Sequence, residues 1–232
     1  EGRETLGGTC LNVGCMPSKA LLHASELYEA ATSGELNNLG IEVTPTLNLA
    51  QMMKQKDESV TALTKGIEFL FRKNKVEWIK GWGRLNGPGK VTVTLADGSV
   101  RELQAKDIVI ATGSEPTPLP GVTIDNQRIL DSTGALALPE APKHLVVIGA
   151  GVIGLELGSV WRRLGSEVTV VEYLDRICPG LDNETAKTLQ RTLSKQGMNF
   201  KLATKVSAAK PTAKGVTLDL QPAAGGAVEP LQ

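Results

Sequence analysis

Two cysteines lie close together near the start of the chain, in the string G-G-T-C-L-N-V-G-C-M-P-S-K of residues 7–19. Proline is favoured at the first position of a helix, so we predict that a helix begins at Pro17–Ser18 and that Cys15 lies just before it. The partial positive charge of a helix N-terminus favours thiolate over thiol. Lys19 adds a cation one turn along the helix. A reactive thiol beside a second thiol, Cys10, is what a redox-active dithiol/disulfide pair requires.

Two other interpretations of the cysteines must be weighed. A metal site usually has ligands two residues apart and a second ligand pair. The third cysteine, Cys178, is distant, and His23 and His144 show no ligand spacing. We therefore predict no metal site. A structural disulfide in a secreted protein stays an alternative, because such bonds persist in oxidising compartments.

A glycine-rich string, G-A-G-V-I-G at residues 149–154, has the spacing of a dinucleotide-binding fingerprint. That spacing alone is weak evidence, but its surroundings are complete. A predicted strand, Leu145–Ile148, precedes it, and a predicted helix to about Leu164 follows. The next predicted strand, Val168–Val171, ends at an acid, Glu172, about twenty residues after the fingerprint. This order predicts a βαβ unit that binds a dinucleotide.

Each fingerprint residue has a physical role. Gly149 permits the tight turn, Gly151 lets the pyrophosphate approach the backbone, and Gly154 lets helix and strand pack closely. The free N–H groups of the helix N-terminus meet the phosphates. The Glu172 carboxylate accepts a hydrogen bond from the ribose 2′-hydroxyl of NAD and repels the 2′-phosphate of NADP, which predicts NAD. The NAD-binding residues that this unit predicts are Gly149, Ala150, Gly151, Val152, Ile153, Gly154, Leu155, Glu156 and Glu172.

The composition of the chain excludes some classes of partner. The 232 residues include 25 basic and 25 acidic side chains, so nothing indicates nucleic acid or an anionic membrane as a partner. No apolar run is long enough to span a bilayer, and no signal-peptide pattern opens the chain. We therefore expect a reducing compartment, where a cysteine pair is more often catalytic than structural.

The cysteine string and the residues after it resemble the redox motif of the flavin-dependent pyridine nucleotide–disulfide oxidoreductases, and the resemblance runs along nearly all of the chain. It implies that Cys10 is the interchange thiol that attacks the substrate disulfide and that Cys15 is the thiol in charge-transfer contact with the flavin. Lys19 would lie against the flavin ring and pair with Glu156 across two domains. By itself, Glu156 is only a favourable acid near a helix N-terminus.

The resemblance also implies which residues contact FAD. Glu1 would bind the adenosine ribose, although by its sequence alone it is a surface acid. Gly83 would let the backbone approach the adenine end, although it is equally a plain turn glycine. Val206 would contact the adenine of NAD through its backbone. The implied FAD-binding residues are Glu1, Gly8, Thr9, Cys10, Lys19, Gly83, Thr112, Gly113 and Ser114.

We predict an α/β fold with two Rossmann-like dinucleotide-binding domains. Residues 1–118 form a partial FAD domain with a small antiparallel meander, and residues 119–232 form a partial NAD domain. The proline-rich segment Glu115–Gly121 links them. A buried strand that runs straight into a small-residue turn is expected within Asp107–Ser114, and Asp97–Gly98 is a predicted hairpin turn. The predicted meander strands are Val76–Lys80, Val91–Leu95 and Val100–Leu103.

The resemblance is strongest to the branch of the family that oxidises dihydrolipoamide on the lipoyl domain of a 2-oxo acid dehydrogenase acyltransferase. It implies a homodimeric parent chain, about twice as long, in the bacterial cytoplasm or mitochondrial matrix. This chain would lack the first FAD fingerprint and the C-terminal dimerisation domain with its catalytic His–Glu pair. Glutathione or mercuric reductases of the same family stay alternatives. In isolation, the chain would be an inactive nucleotide-binding module.

Overall fold

The structure is a computed structural model that describes residues 1–213 and 215–231. The chain divides into two compact units. The first comprises Glu1–Pro17 and Asp57–Glu115, and the second comprises Ser18–Lys56 and the chain from Pro116 onward. The predicted division at residue 118 stays a prediction. The second unit also includes Ser18–Lys56, a segment that lies within the predicted FAD domain.

Three helices and a short 3-10 helix make up much of the N-terminal part of the chain. They are α1 at Gly8–Val13, α2 at Cys15–Thr32, the 3-10 helix at Leu36–Leu39, and α3 at Leu49–Lys73. The predicted helix start at Pro17–Ser18 is two residues late, because α2 begins at Cys15 itself. Cys15 is therefore the first residue of the helix and not the residue before it.

The first unit contains the predicted antiparallel meander, with strands β1 at Trp82–Leu85, β2 at Lys90–Thr94 and β3 at Val100–Gln104. The predicted first strand, Val76–Lys80, is wrong. The backbone there bonds to the chain start instead, because the amino group of Glu1 donates to Ile79 O (3.2 Å). Gly81 N–H in turn donates to Glu1 O (2.9 Å).

Turn chemistry sets the register of the meander. Gly98 adopts a φ of +81°, which glycine tolerates without strain. Asp97 Oδ1 accepts from the backbone N–H of Ser99 (2.9 Å) and from its hydroxyl (2.6 Å). The predicted hairpin turn at Asp97–Gly98 is therefore confirmed. The other turn uses Gly87 and Gly89, both with positive φ, and pairs Leu85 with Val91.

The predicted buried strand at Asp107–Ser114 is wrong. The segment is in no strand, and Val109 is 87% exposed. A strand needs a neighbour for its hydrogen-bond ladder. Among residues 1–213 and 215–231, no strand pairs with this segment. The apolar residues of this segment were therefore not sufficient to predict a strand.

The second unit contains a parallel sheet in the order β4-β5-β6, with strands at His144–Ile148, Glu167–Val171 and Met198–Lys201. A short helix α4 at Ser132–Ala135 precedes the sheet. Helix α5, Val152–Arg163, connects β4 to β5, and α6, Asn183–Lys195, connects β5 to β6. This is the βαβ arrangement that the sequence predicted.

Local signals fix the ends of these helices. Asp182 caps α6 by accepting from the N–H groups of Glu184 and Thr185 (3.0 Å each). Gly165, with a φ of +103°, follows α5, and Gly197, with a φ of +93°, follows α6. Strands β4 and β5 each begin one residue before the predicted start, at His144 and Glu167.

Two buried clusters hold the second unit together. One joins the sheet to α5 and α6 through Val168, Val170 and Met198. The other joins α2 to α5 through Leu21 and Trp161, both fully buried, and Met52 and Met53 of α3 pack against it. The two methionines therefore serve packing. This second cluster explains why most of α2 belongs to the second unit.

An antiparallel sheet completes the second unit, in the order β7-β8-β9 at Thr204–Pro211, Val216–Pro222 and Glu229–Leu231. A bulge between Val206 and Ala208 interrupts the pairing of β7 with β8. The α/β class, with its small meander and its parallel sheet, is confirmed. No helix in the described part of the chain is long and apolar enough to cross a membrane.

Candidate functional site

The two N-terminal cysteines lie on consecutive helices of the chain. Cys10 is on α1 and Cys15 opens α2, and both are exposed thiols in the structure. Gly14 separates the helices with a φ of −134° and a ψ of −118°. A Cβ on Gly14 would come within 2.9 Å of Thr9 O and 3.2 Å of Cys10 Cα. Only glycine therefore lets the backbone pass so close to Cys10.

Lys19 and Glu156 form the ion pair that the resemblance implied. Lys19 Nζ donates to Glu156 Oε1 at 2.6 Å, and the two side chains are 56% and 34% exposed. Both residues belong to the second unit, whereas the expectation placed the pair across two domains. Residue spacing could not have found this contact, because the two positions are far apart in the sequence.

Three of the implied FAD-binding residues come together in the first unit. Thr9 Oγ1 donates to Ser114 O (3.4 Å) and accepts from Arg3 Nη1 (3.4 Å). Gly113 has a φ of +81°, and a Cβ there would lie 3.2 Å from Thr9 Oγ1. Gly113 is thus a position that requires glycine. Arg3, which the sequence did not single out, holds the Thr9 hydroxyl.

The other implied FAD-binding positions are more open. Glu1 is exposed, and its carboxylate accepts from Arg3 N–H (2.9 Å). Gly83 lies on β1, where a Cβ would make only an ordinary contact of 3.6 Å with Val91. A Cβ on Gly8 would meet nothing within 4 Å, and Thr112 is exposed. Nothing in the fold itself requires glycine at residue 83, so its role stays a prediction.

The glycine turn between β4 and α5 has the geometry of a nucleotide-binding turn. Gly149 has a φ of +103°, and its N–H donates to Val171 O (2.8 Å). A Cβ on Gly154 would lie 2.5 Å from Gly149 O and 2.9 Å from Val147 Cγ1. A Cβ on Gly151 would meet nothing within 4 Å. The third glycine therefore serves packing, while the second leaves space for a ligand.

The first turn of α5 presents both backbone and side chains to that space. Gly151 is the N-cap and makes no side-chain cap hydrogen bond. Val152 and Ile153 are each 58% exposed, whereas Ala150 and Leu155 are buried. Any contact of a ligand with Leu155 would thus be through its backbone. The uncapped N–H groups can receive a phosphate.

Glu172 is held against the glycine turn by two backbone groups. Ala150 N–H donates to Glu172 Oε2 at 2.7 Å, and Leu174 N–H donates to Oε1 at 2.8 Å. Each carboxylate oxygen keeps a second lone pair for a hydroxyl group. Arg176 is directed elsewhere, because its Nη2 donates to Pro179 O (2.7 Å) and Leu181 O (2.6 Å). The position that would meet a 2′-substituent is therefore acidic.

A cavity of about 620 Å³ opens beside Glu172, at the carboxyl ends of β4 and β5. Gly149, Tyr173 and Val206 line it, together with the segment Thr117–Gly121. Sequence reasoning placed Gly149 and Val206 at the nucleotide site but missed Tyr173 and the proline-rich segment. The position of Tyr173 directly after Glu172 was the available signal. A ligand-sized cleft at this edge of a parallel sheet is where nucleotides bind.

The thiol of Cys178 belongs neither to the cysteine pair nor to the residues around the glycine turn, although its backbone N–H donates to Ala150 O (2.9 Å). Cys178 is buried, and burial raises the pKa of its thiol above the ordinary value, although Arg176 opposes the shift. A thiol in such surroundings is unreactive. Within residues 1–213 and 215–231, no group of three or more His, Cys, Asp or Glu side chains could hold a metal ion.

Comparison with known proteins decides the family. A sequence profile described as pyridine nucleotide-disulphide oxidoreductase matches residues 3–227. The chain belongs to the pyridine nucleotide–disulphide oxidoreductase family. A dihydrolipoyl dehydrogenase 3 of Pseudomonas putida is 80% identical over all 232 residues, and one of Pseudomonas aeruginosa is 76% identical over the same length. Each alignment covers 50% of the relative.

Other family members extend the comparison. A leghemoglobin reductase of Vigna unguiculata is 57% identical over 97% of this chain and 43% of its own length. The crystal structure of LpdA from Mycobacterium tuberculosis superposes with a TM-score of 0.86 at 27% identity, over 98% of this chain and 49% of that one. The chain thus spans about half the length of the family members it matches.

Proposed function

We propose that this chain is the central part of a flavin-dependent dihydrolipoyl dehydrogenase that uses FAD and NAD. The observation that carries the proposal is the presence, in one chain, of two exposed thiols around a glycine kink and a nucleotide turn with an acid held against it. The substrate class is supported by the two Pseudomonas relatives, which are named for that activity and match every part of the chain.

The residues of the second unit fit NAD. The open space above Gly151 and the uncapped first turn of α5 suit the pyrophosphate. The Glu172 carboxylate suits the ribose hydroxyls, and the cavity lined by Val206 and Tyr173 suits the adenosine. The acidic character of Glu172 disfavours the 2′-phosphate of NADP, so NAD is the proposed nucleotide.

The residues of the first unit fit part of an FAD site. The Glu1 carboxylate can accept from ribose hydroxyls. Thr9, Gly113 and Ser114 form a closely packed backbone surface against which a cofactor can lie. Gly83, on an exposed strand, leaves its backbone accessible. When bound, FAD takes up the electron pair of the dithiol and NAD carries that pair away as hydride.

The chemistry of the protein's own residues is disulfide exchange. A thiolate of dihydrolipoamide attacks the Cys10 sulfur of the oxidised pair, and the Cys10–Cys15 bond breaks with its electrons on Cys15. The second substrate thiolate then displaces Cys10, which leaves lipoamide with a ring disulfide and the enzyme with two thiols. Two electrons and two protons have moved from substrate to protein. The Lys19–Glu156 pair supplies a fixed cation on α2, one turn beyond Cys15.

The parent protein is proposed to act as a homodimer on the lipoyl domain of a 2-oxo acid dehydrogenase acyltransferase. Named relatives include bacterial proteins and mitochondrial ones. The bacterial cytoplasm or the mitochondrial matrix is accordingly the proposed compartment. Both are reducing, which suits a catalytic rather than a structural cysteine pair.

The test is NAD reduction by dihydrolipoamide, followed by the absorbance of NADH, in the full-length protein. Cys10→Ser and Cys15→Ser should each abolish turnover, because exchange requires both sulfurs. Cys178→Ser is the matched control, since that thiol is buried, and it should keep turnover. Activity that survives in Cys10→Ser or Cys15→Ser would refute the proposal, as would turnover with glutathione disulfide and none with dihydrolipoamide.

A further inference from the structure

The helix that bears Cys10 is weakly anchored by apolar packing, because its two apolar side chains, Leu11 and Val13, are only half-buried. Helix α1 has six residues, none of them buried, and its N-cap, Gly7, makes no side-chain cap hydrogen bond. Isolated helices much shorter than about 12 residues are not stable in water. Polar contacts therefore add to what holds the helix that carries the thiol.

Asn12 supplies these contacts from a position between the two cysteines. Its Nδ2 donates to Leu6 O (3.1 Å) and to Gly8 O (2.9 Å), and its Oδ1 accepts from the Thr5 hydroxyl (2.7 Å). Both amide hydrogens are thus engaged. Leu6 is only 5% exposed and anchors this end of the unit. Asn12 therefore ties the helix bearing Cys10 to a fixed residue.

We propose that Asn12 is a positioning residue that orders the Cys10–Cys15 loop before the disulfide closes. The inference rests on the proposed redox role of the two cysteines. A disulfide forms only when the two Cα atoms are about 4.4–6.8 Å apart and the side chains are suitably directed. If the loop were mobile in the dithiol state, closure would have to order it at a cost in conformational entropy. The hydrogen bonds of Asn12 remove that cost.

The test measures the dithiol/disulfide equilibrium in the full-length, flavin-containing protein. The protein is equilibrated in buffers of reduced and oxidised dithiothreitol, acid-quenched and alkylated, and the peptide with Cys10 and Cys15 is quantified by mass spectrometry. On closure, a sulfur–sulfur bond forms between the two cysteines and the ring disulfide of oxidised dithiothreitol breaks. Its two sulfurs take up the two electrons and the two protons.

In Asn12→Ala, the equilibrium constant for closure should fall on the order of tenfold. For a two-electron couple this makes the midpoint potential about 30 mV less negative. Thr5→Val removes only the donor to Oδ1 and should shift the constant in the same direction by roughly threefold, as expected for one weaker hydrogen bond. Thr5 is exposed, so this variant carries the test if Asn12→Ala does not fold.

Asn74→Ala is the matched control. Asn74 Nδ2 also donates to a carbonyl four residues back, Leu70 O (2.8 Å), in the same unit but at the end of α3. Its loss should leave the closure constant unchanged. If Asn12→Ala and Thr5→Val behave like Asn74→Ala, the inference is wrong and the proposed redox role stands. If the unsubstituted protein forms no Cys10–Cys15 disulfide in any buffer, the proposed function itself is wrong.

Discussion

Replacing Glu172 by glutamine tests the proposed role of this carboxylate in binding NAD. The carboxylate accepts one backbone N–H at each oxygen, from Ala150 at 2.7 Å and from Leu174 at 2.8 Å. A glutamine has a single oxygen. One of the two N–H groups would therefore face an NH₂ group, which is a donor, and that hydrogen bond would be lost.

The size of the effect follows from these contacts. A hydrogen bond to a charged group contributes about 1.5–3 kcal/mol. The proposed bond from the ribose hydroxyl to Glu172 is of this kind, and the variant replaces its charged acceptor by a neutral one that is no longer held on both sides. Because 1.4 kcal/mol is a factor of ten in affinity, the Kd for NAD should rise roughly 10- to 100-fold. The Kd for NADP should not rise, since the repulsive charge is gone.

The assay is calorimetric titration of the full-length protein with NAD and then with NADP. Glu167→Gln is the control, because Glu167 begins the same strand β5 with an exposed side chain. It should leave both dissociation constants unchanged. A Kd for NAD in Glu172→Gln that stays within about twofold of the unsubstituted protein would refute the assigned role of the carboxylate.

Three further predictions concern residues of the second unit. Gly154→Ala should lower the free energy of unfolding by about 1–3 kcal/mol in denaturant titrations, because its Cβ would lie 2.5 Å from Gly149 O; an unchanged midpoint would contradict this. Glu156→Gln should lower the free energy of unfolding by less than about 1 kcal/mol, since the ion pair with Lys19 is partly exposed. A larger decrease, measured by thermal unfolding, would show that the pair stabilises the fold. The N–H groups of Thr185 and Glu184 hold the pKa of Asp182 below its ordinary 3.8, so its stabilising effect is present above that pH and is lost as the pH falls through the lowered pKa. The difference in Tm between the protein and Asp182→Ala should accordingly shrink in acid, and a constant difference would exclude this linkage.

Local sequence signals determined the elements whose causes are themselves local. Asp182 and Gly197 delimit α6 through hydrogen bonds and a backbone conformation available within a few residues. The Asp97–Gly98 turn forms for the same kind of reason. The fingerprint of residues 149–154 was identifiable because its three glycines have separate steric roles and because a predicted strand, a predicted helix and an acid surround them in the expected order.

Contacts between distant residues were decided only by the tertiary structure. The segments Val76–Lys80 and Asp107–Ser114 both predicted strands, but strand formation depends on hydrogen bonds to a neighbouring strand, which no local pattern specifies. Most of α2 belongs to the second unit because Leu21 packs in one buried cluster with Trp161 of α5, a contact between distant residues that no local pattern specifies.

The candidate site divides in the same way. The residue types and spacing of Cys10, Cys15 and Glu172 indicated redox and nucleotide chemistry, since those properties belong to the side chains themselves. The hydrogen bond from Ala150 to Glu172, and those from Asn12 to Leu6 and Gly8, depend on where the folded backbone places its N–H and C=O groups. The sequence determined which groups can react, and the tertiary structure decided which backbone atoms hold them, because backbone hydrogen bonds carry no residue-specific pattern.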